Sequence, residues 1–530
     1  VTDFSSTSAI VLPVANALVL LVYLVILMVV CVYGVHRYWM VWQFVRGRAR
    51  RRQSGADQPP GRFERLPRVT VQIPMFNERR VAKRVIEAAC NLDYPRDRLQ
   101  VQVLDDSTDG CADLARDCCA RLRAAGHDVQ YIHRTNRAGY KAGALANGLR
   151  TATGEFIAIF DADFVPPREA LQRTIHHFTD DNTGMVQMRW SHLNRDHSLL
   201  TELQAMYLDG HFVVEQGARA DNDHWFNFNG TAGVWRRACI DDAGGWAHDT
   251  LTEDTDLSYR AQLKDWQFRY LPEICCPAEV PPTVSAFLGQ QHRWNKGLIQ
   301  CAIKLLPSIL RRPIPLRRKI EAWFHLTGPF IHVMILLLAL LIAPMMLVIA
   351  PVTLLDPLLA SLLGMTFLVL GALAAATFYL ASQVARGIGA VRTIIHLPAL
   401  MALGVGISVV NSKAVLEALL RKQTPFVRTP KFNGERQSEN DPIVQAIRRR
   451  WPTGLVEVTL GMLMSICFAF SLLKAETLIG SPFLLLFATG FLAVGAPGLM
   501  QHCQALRAAR NGPATSRVQL PLIKVASSKE

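Results

Sequence analysis

Apolar positions follow two different rhythms along the chain. Between residues 69 and 163 they come in short runs: VTVQIPM (69–75), LQVQVLDDS (99–107), VQYIHR (129–134) and EFIAIFDAD (155–163). Such β-rich runs, several closed by acidic or loop residues, predict strands. Amphipathic stretches between them, Val81–Ala89, Cys111–Ala125 and Lys141–Arg150, predict helices. Strands alternating with helices predict a mostly parallel α/β sheet with helices on both faces, whose ligands sit at the carboxyl ends of the strands. Toward both ends of the chain the apolar stretches lengthen. Ala9–Val32, Phe324–Ala350, Pro357–Ala385, Leu455–Leu473 and Pro482–Met500 each approach the roughly 20 apolar residues that cross a bilayer. Thr393–Val410 is weaker, being interrupted by Pro398 and by glycines. The first span carries no charge and no cleavage pattern close behind it, so it reads as an anchor rather than a signal peptide.

Charge then orients these spans. The net charge is +14, and the excess hugs the predicted membrane edges: RGRARRR (46–52) after the first span, then Lys413–Lys431 and Arg448–Trp451. The positive-inside rule places these segments, and the soluble middle of the chain, in the cytoplasm. The turns around Asp356 and between Leu473 and Ser481 are nearly free of Lys and Arg and face outside. This arrangement closes if Thr393–Val410 lies along the inner surface. Juxtamembrane placement accounts for the basic excess without nucleic acid as a partner. The 11 cysteines follow no metal-ligand spacing and read as buried thiols in a reducing compartment.

Candidate chemistry lies at the strand ends. FDADF (160–164) closes an apolar strand with Asp161 and Asp163, one residue apart. Two such carboxylates suit a hard divalent cation, Mg²⁺ or Mn²⁺, bridging to phosphates; a solvated turn is the alternative. LDDSTD (104–109) puts Asp105 and Asp106 at a second strand end, in position to hold a nucleotide. NRAGYKAGAL (136–145) offers Lys141 at a helix start, either a phosphate site or a capping lysine. LTEDTDLSYR (251–260) supplies Thr252, Glu253, Asp254 and Asp256. Thr252 with acids in the first turn is ordinary capping, while one carboxylate there suits a general base. FNFNGTAGVWR (226–236) reads as a plain loop or as a polar floor beside a sugar. QQHRWNKG (290–297) sets amides, a guanidinium and an indole just before a membrane span.

In order, QIPMFNE, VLDDSTD, GYKAGAL, FDADF, FNGTAGVWR, TEDTDLSYR and QQHRW resemble the membrane-bound processive family 2 glycosyltransferases, the cellulose, hyaluronan and related polysaccharide synthases. The wording is most similar to the cellulose-synthase-like A and C branch, which makes β-1,4-mannan or glucomannan and β-1,4-glucan backbones. The match runs densely from Val69 to Trp294. The resemblance implies a GT-A domain on interfacial helices beside a transmembrane channel. It implies donor contacts at Glu78, Asp105, Lys141, Asp161 and Arg293, and a divalent metal held by Asp161 and Asp163. It makes Asp254 the general base and puts the acceptor at Gln290 and Trp294, with Asn229, Gly230 and Thr231 as the polar floor. FVRTPK, with Phe426, Thr429 and Lys431, resembles the gating loop of cellulose synthases but departs from it at Arg428 and Pro430; a basic surface linker is the alternative. The tail Arg517–Glu530 is too short for the cyclic-nucleotide-binding barrel of some relatives, so activation by cyclic di-GMP within this chain is not expected.

The expected division is a transmembrane anchor (1–45), a basic linker (46–68), a cytoplasmic GT-A domain (69–297) and interfacial helices (298–323). A transmembrane hairpin (324–385), a cytoplasmic interfacial segment holding the candidate gating loop (386–453), a second hairpin (454–502) and a cytoplasmic tail (503–530) follow. The implied activity is inverting, processive transfer of hexose from UDP-glucose or GDP-mannose to a growing β-linked polysaccharide, exported through the bilayer. Transfer of one or two sugars to a lipid is the alternative enzyme. A membrane scaffold or transporter with a degenerate transferase domain is disfavoured by the intact carboxylates at Asp105, Asp161, Asp163 and Asp254.

Overall fold

The computed structural model describes residues 4–55, 58–345, 363, 366, 368–423, 454–473 and 480–511. After the long helix α1 (Phe4–Ser54) come β1 (Val69–Met75), α2 (Arg79–Cys90), β2 (Leu99–Asp105), α3 (Cys111–Ala124), β3 (Asp128–His133), α4 (Tyr140–Leu149) and β4 (Phe156–Ile159). The expected strands and helices of this region are all present. The rhythm then loosens through α5 (Ala170–Thr174), β5 (Thr183–His192), α6 (Leu199–Asp209), a π-helical turn (Gly210–Glu215) and α7 (Gln216–Asp221). The unit closes with β6 (Gly233–Arg236), α8 (Arg237–Asp242), α9 (Glu253–Gln262) and β7 (Gln267–Ala278). The sheet has seven strands in the order β3-β2-β1-β4-β6-β5-β7. It is mostly parallel, with β6 antiparallel to both β4 and β5.

Strands buried on both faces are usually apolar throughout, yet one face of this sheet carries a buried polar ladder. Thr70 Oγ1 donates to Gln100 Oε1 at 2.8 Å, and Gln72 Nε2 donates to Gln102 Oε1 at 3.0 Å. Gln102 Nε2 continues to Gln130 Oε1 at 3.3 Å. Each pair sits at matched register across β1, β2 and β3. A slip of one residue would send these groups among the apolar side chains of the other face, where each unpaired amide costs about 1–3 kcal/mol. The ladder therefore specifies register, and register sets Asp105 opposite Met75 at the carboxyl edge. The opposite face packs Val71, Ile73, Val101 and Val103 under α2 and α3.

Beyond the sheet lie α10 (Val284–Arg311), α11 (Leu316–Thr327), α12 (Phe330–Pro344), α13 (Ala374–Ala385), α14 (Ala390–Gly406), α15 (Ser408–Leu419), α16 (Leu455–Ser471) and α17 (Ser481–Asn511). Among the described residues, three helical stretches are long and apolar enough to cross a membrane: Ala17–Gln53, Ala390–Leu419 and Ser481–Met500. The α11–α12 pair, bent by 57°, makes a fourth if counted as one span. Val369–Ala385 and Leu455–Ser471 are apolar but shorter. Ala390–Leu419 contains Thr393–Val410, the segment expected to lie along the surface; in length and composition it suffices to cross. Phe426–Lys431, the candidate gating loop, lies outside the described residues. Nine of the eleven cysteines are buried, Cys275 is intermediate and Cys503 is exposed.

The segment α6–π turn–α7 joins the sheet unit to the apolar helices. Gly210 allows the close approach: a Cβ there would lie 2.5 Å from the Phe378 ring. Asp209, fully buried, accepts from Arg195 at 2.8 Å, Arg386 at 2.5 Å and Gln383 at 3.1 Å, with His192 3.7 Å away. The far half of α1 also plugs into this junction. Arg37 pairs with Glu215, His36 with Glu321 at 2.9 Å, and Gln43 with His224 at 2.9 Å. Arg219 reaches the same Glu321 at 3.0 Å.

Burial alone would raise the Asp209 carboxyl, but His192, Arg386 and Arg195 hold it well below the usual carboxylate range. A depressed carboxylate contributes stability that is present above its unfolded value, near 3.9, and lost as pH falls through the folded one. Asp209→Asn should cost about 3–5 kcal/mol at neutral pH, the range for breaking a buried ion pair. The deficit relative to wild type should shrink below about pH 4. Thermal unfolding of the detergent-solubilised chain at both pH values checks this; a deficit independent of pH would show that the ionised carboxylate is not what holds the junction.

Candidate active site

One pocket opens at the carboxyl edge of the sheet, where β1, β2, β4 and β5 end and α4, α9 and α10 converge. It brings together Glu78, Lys141, Asp161, Asp163, Asn229, Gly230, Asp254, Gln290, Arg293 and Trp294, drawn from six separated stretches of chain. Two expected residues are not on its wall. Asp105 is fully buried, its carboxylate accepting from the Tyr131 hydroxyl at 2.8 Å and the Ser107 N–H at 2.9 Å. Its neighbour Asp106 lines the pocket instead and accepts from Arg134 at 2.8 and 2.5 Å. Thr231 is also fully buried; its hydroxyl accepts the Asp161 N–H at 2.8 Å from behind.

Lys141, the second residue of α4, sits at the electrostatic centre. Its ammonium donates to Asp161 Oδ1 at 2.5 Å and to the Gly230 carbonyl at 2.9 Å. Burial draws the ammonium down, but the charges of Asp161, Glu253 and Asp254 together raise it above the ordinary lysine value. The acids feel the reverse. Burial and the charge of Glu253 push the Asp254 carboxyl up to about 7, with Lys141 opposing. Burial likewise raises Glu253. Burial lowers Arg293, against the pull of Glu253, Asp161 and Asp254, so this guanidinium belongs to the same charge cluster. Gly230 is required where it stands: its φ is +81°, and a Cβ would lie 3.1 Å from Asp254 Oδ2 and 3.4 Å from Lys141 Nζ.

The turn before α9 differs from a simple cap. Thr252 occupies the cap position, but its side chain makes no cap hydrogen bond. Its hydroxyl lies 3.4 Å from Cys301 Sγ on α10. Asp256 is also spoken for, bound by Arg260 and by Lys304 at 2.7 Å each. Asp254, by contrast, lines the pocket.

The opposite end of the pocket is aromatic and strained. The Arg137 guanidinium lies 3.3 Å from the Phe76 ring centre and 5.3 Å from that of Tyr140. Asn77 and Tyr140 both hold positive φ, +53° and +48°, a conformation that costs of order 1–3 kcal/mol for residues with a side chain. Near α10, Trp190 and Trp294 stand 6.5 Å apart between ring centres. Trp190 and His192 come from the end of β5, a strand out of chain order in the sheet, and only the apolar run before them hinted at their place. Glu279 lines the pocket and pairs with Arg84 at 3.2 Å.

Among the described residues, no group of three or more His, Cys, Asp or Glu could hold a metal unaided. The donor set nonetheless fits a hard divalent cation that takes its remaining oxygens from phosphate and water. Asp161 and Asp163 share the pocket wall, and the acid-rich cluster that lifts Asp254 is one that added positive charge would relieve.

Residues 67–297 match the family model described as glycosyltransferase-like family 2. The chain is 46% identical over 265 residues to a probable glucomannan 4-beta-mannosyltransferase 11 of Oryza sativa subsp. japonica, covering 49% of this chain and 46% of that protein. It is 45% identical over 263 residues to glucomannan 4-beta-mannosyltransferase 2 of Arabidopsis thaliana, covering 49% of this chain and 48% of that one. The chain thus spans about half the length of the curated relatives it matches. Among solved structures, a mannosyltransferase from Pyrobaculum calidifontis in complex with GDP-Man and Mn²⁺ aligns with 75% of this chain and 99% of its own. The identity is 21% and the TM-score 0.48.

Lys141→Met removes the cation shared by three carboxylates. Asp161 is 32% exposed, so the cost is discounted from the buried-pair range to about 1–3 kcal/mol. A carboxyl whose folded value is raised adds stability at low pH and loses it as pH rises through that value. The variant should therefore unfold at a lower temperature than wild type, with the gap wider at about pH 8 than at about pH 5. Equal gaps at both, in thermal scans, would place the carboxylates outside the reach of Lys141.

Proposed function

We propose that this chain, whose residues 67–297 belong to the glycosyltransferase-like family 2, is an inverting hexosyltransferase that extends a β-1,4-linked mannan or glucomannan from GDP-mannose. The observation that carries this reading is the meeting of Asp254, Lys141, Asp161 and Arg293 in one pocket, with Trp294 on its wall. The curated relatives named as glucomannan 4-beta-mannosyltransferases favour mannose over glucose as the sugar.

In the proposed step the terminal hydroxyl of the acceptor attacks the anomeric carbon from the face opposite the diphosphate. A new C–O bond forms while the bond from that carbon to the phosphate oxygen breaks. The electron pair leaves with the nucleoside diphosphate, and the hydroxyl proton passes to Asp254. A carboxyl poised near 7 suits a base working near neutral pH. Negative charge develops on the leaving diphosphate, where Lys141 and Arg293 supply preorganised donors. Asp161 and Asp163 would hold a divalent cation, Mg²⁺ or Mn²⁺, which neutralises diphosphate charge when bound. The Trp294 ring suits the C–H face of a pyranose, and the Gln290 and Asn229 amides suit its hydroxyls. Glu78, on the pocket wall, would contact the nucleotide; Asp105 would act from beneath, through the loop that carries Asp106.

The basic run Arg46–Arg52 supports a cytoplasmic catalytic unit, with the apolar helices serving a product that must reach the other side. Processive extension, rather than one or two transfers to a lipid, is the reading the Gln290–Trp294 motif supports.

The test uses the full chain in lipid nanodiscs with radiolabelled GDP-mannose or UDP-glucose and Mg²⁺ or Mn²⁺. Mannose should enter a long product cleaved by β-mannanase. Asp254→Asn should lower transfer by about 10³-fold or more, the scale of losing general-base catalysis, while GDP still binds. A glucose-only product would overturn the donor. A product stopping at one or two sugars would favour the glycolipid reading. Undiminished transfer by Asp254→Asn would remove that residue from the mechanism.

A further inference from the structure

The stretch QQHRWNKG uses only one side of α10 for the pocket. Gln290, Arg293 and Trp294 line it, and at 3.6 residues per turn they share one face. His292 and Lys296, one turn apart, share the opposite face and meet α15. His292 Nε2 lies 3.1 Å from Glu417 Oε2. The Lys296 ammonium donates to that same oxygen at 3.2 Å and to the Lys422 carbonyl at 2.7 Å. Lys296 is fully buried and Glu417 is 8% exposed.

Burying an ammonium is a poor route to stability. An apolar pair of similar volume usually serves as well or better, so a buried ion pair contributes mainly to geometry. Here the geometry is the spacing between α10 and α15. On its pocket side α10 is already in contact with the turn that carries Asp254. A Cβ on Gly297 would lie 2.5 Å from Thr252 Cγ2 and 2.9 Å from the Thr252 backbone nitrogen. The helix is thus held between a tight backbone contact on one side and a charged clasp on the other.

We propose that His292, Lys296 and Glu417 are positioning residues that seat α10 against the Thr252–Asp254 turn, and so set the depth of Arg293 and Trp294 in the pocket. None of the three lines the pocket. Their contribution reaches the reaction through α10, and it rests on the reading of the pocket as a nucleotide-sugar site.

Three variants of the full chain test this: Lys296→Met, Glu417→Gln, and the double Lys296→Met/Glu417→Met. The readouts are thermal unfolding, kcat/KM for mannosyl transfer, and hydrogen–deuterium exchange over Gln290–Leu298. Both single variants should lose kcat/KM by roughly 10- to 100-fold, the scale of about 1 Å of misplacement, with faster exchange in α10. The double variant should recover part of the melting temperature that each single variant loses, since neither half of the Lys296–Glu417 pair is left buried alone, yet keep the kinetic loss and the faster exchange. A double variant matching wild type in kcat/KM would make the clasp merely structural and overturn the proposal, as would a Glu417→Gln chain unchanged in both rate and exchange. If the wild-type chain transfers no sugar, the reading of the pocket fails on its own, and exchange in α10 still decides the clasp.

Discussion

The site depends on one ammonium. Asp161, Glu253 and Asp254 cannot all carry charge in a half-buried pocket without cations among them; Arg293 is one, and Lys141, bonded directly to Asp161, is the one that ties the acids to the backbone at Gly230. To reach them it must stand at the start of α4, beside the end of β4, the loop that feeds β6, and the start of α9. Each of those elements is placed by the sheet. The antiparallel course of β6 is what brings its leading loop, Asn229–Thr231, to the edge where the parallel strands finish. Were β6 parallel to β4, Gly230 would open at the far edge, and Lys141 would lose the carbonyl that holds it.

Much of this was written in the local pattern of the chain. Apolar runs closed by acids marked the strands, and the spacing of Asp161 and Asp163 marked the pocket wall. What the pattern could not carry was which of two adjacent residues faces outward. Asp105 and Asp106 are chemically identical, and side chains alternate along a strand; only the register of β2 turns the first inward, onto Tyr131, and the second toward the pocket. The same ambiguity separates Gly230 from Thr231. Thr252 looked like a helix cap because a hydroxyl before acidic residues usually is one, but α10 packs so closely that its hydroxyl turns to Cys301. Trp190 and His192 escaped for another reason: β5 joins the sheet out of chain order, and no local signal reports a long-range neighbour.

Polar groups inside the sheet tell a related story. Gln72, Gln100 and Gln102 would weaken a strand prediction based on hydrophobicity alone, yet they lie in a face closed over by α4 and the turn after it. Paired side chain to side chain, they give the parallel strands a single alignment that apolar residues could not specify so sharply. The apolar face supplies the burial, and the amide face supplies the uniqueness.

The lower half of α1 has a consequence for how the molecule comes into being. Tyr33 donates to Thr327, 294 residues away in sequence; His36 meets Glu321, 285 residues away; and Arg37 meets Glu215, 178 residues away. This helix therefore leaves the ribosome well before the residues that its polar side chains pair with. Throughout that interval its polar side chains must be solvated by lipid headgroups, water or other protein, because the surfaces that bury them have not been made. A chain cut at residue 69 would inherit the complementary difficulty: Glu215 and Glu321 would remain in place without Arg37 and His36 of α1. In this fold, the long apolar helix α1 and the elements it pairs with share one junction, separated only by the order in which they are synthesised.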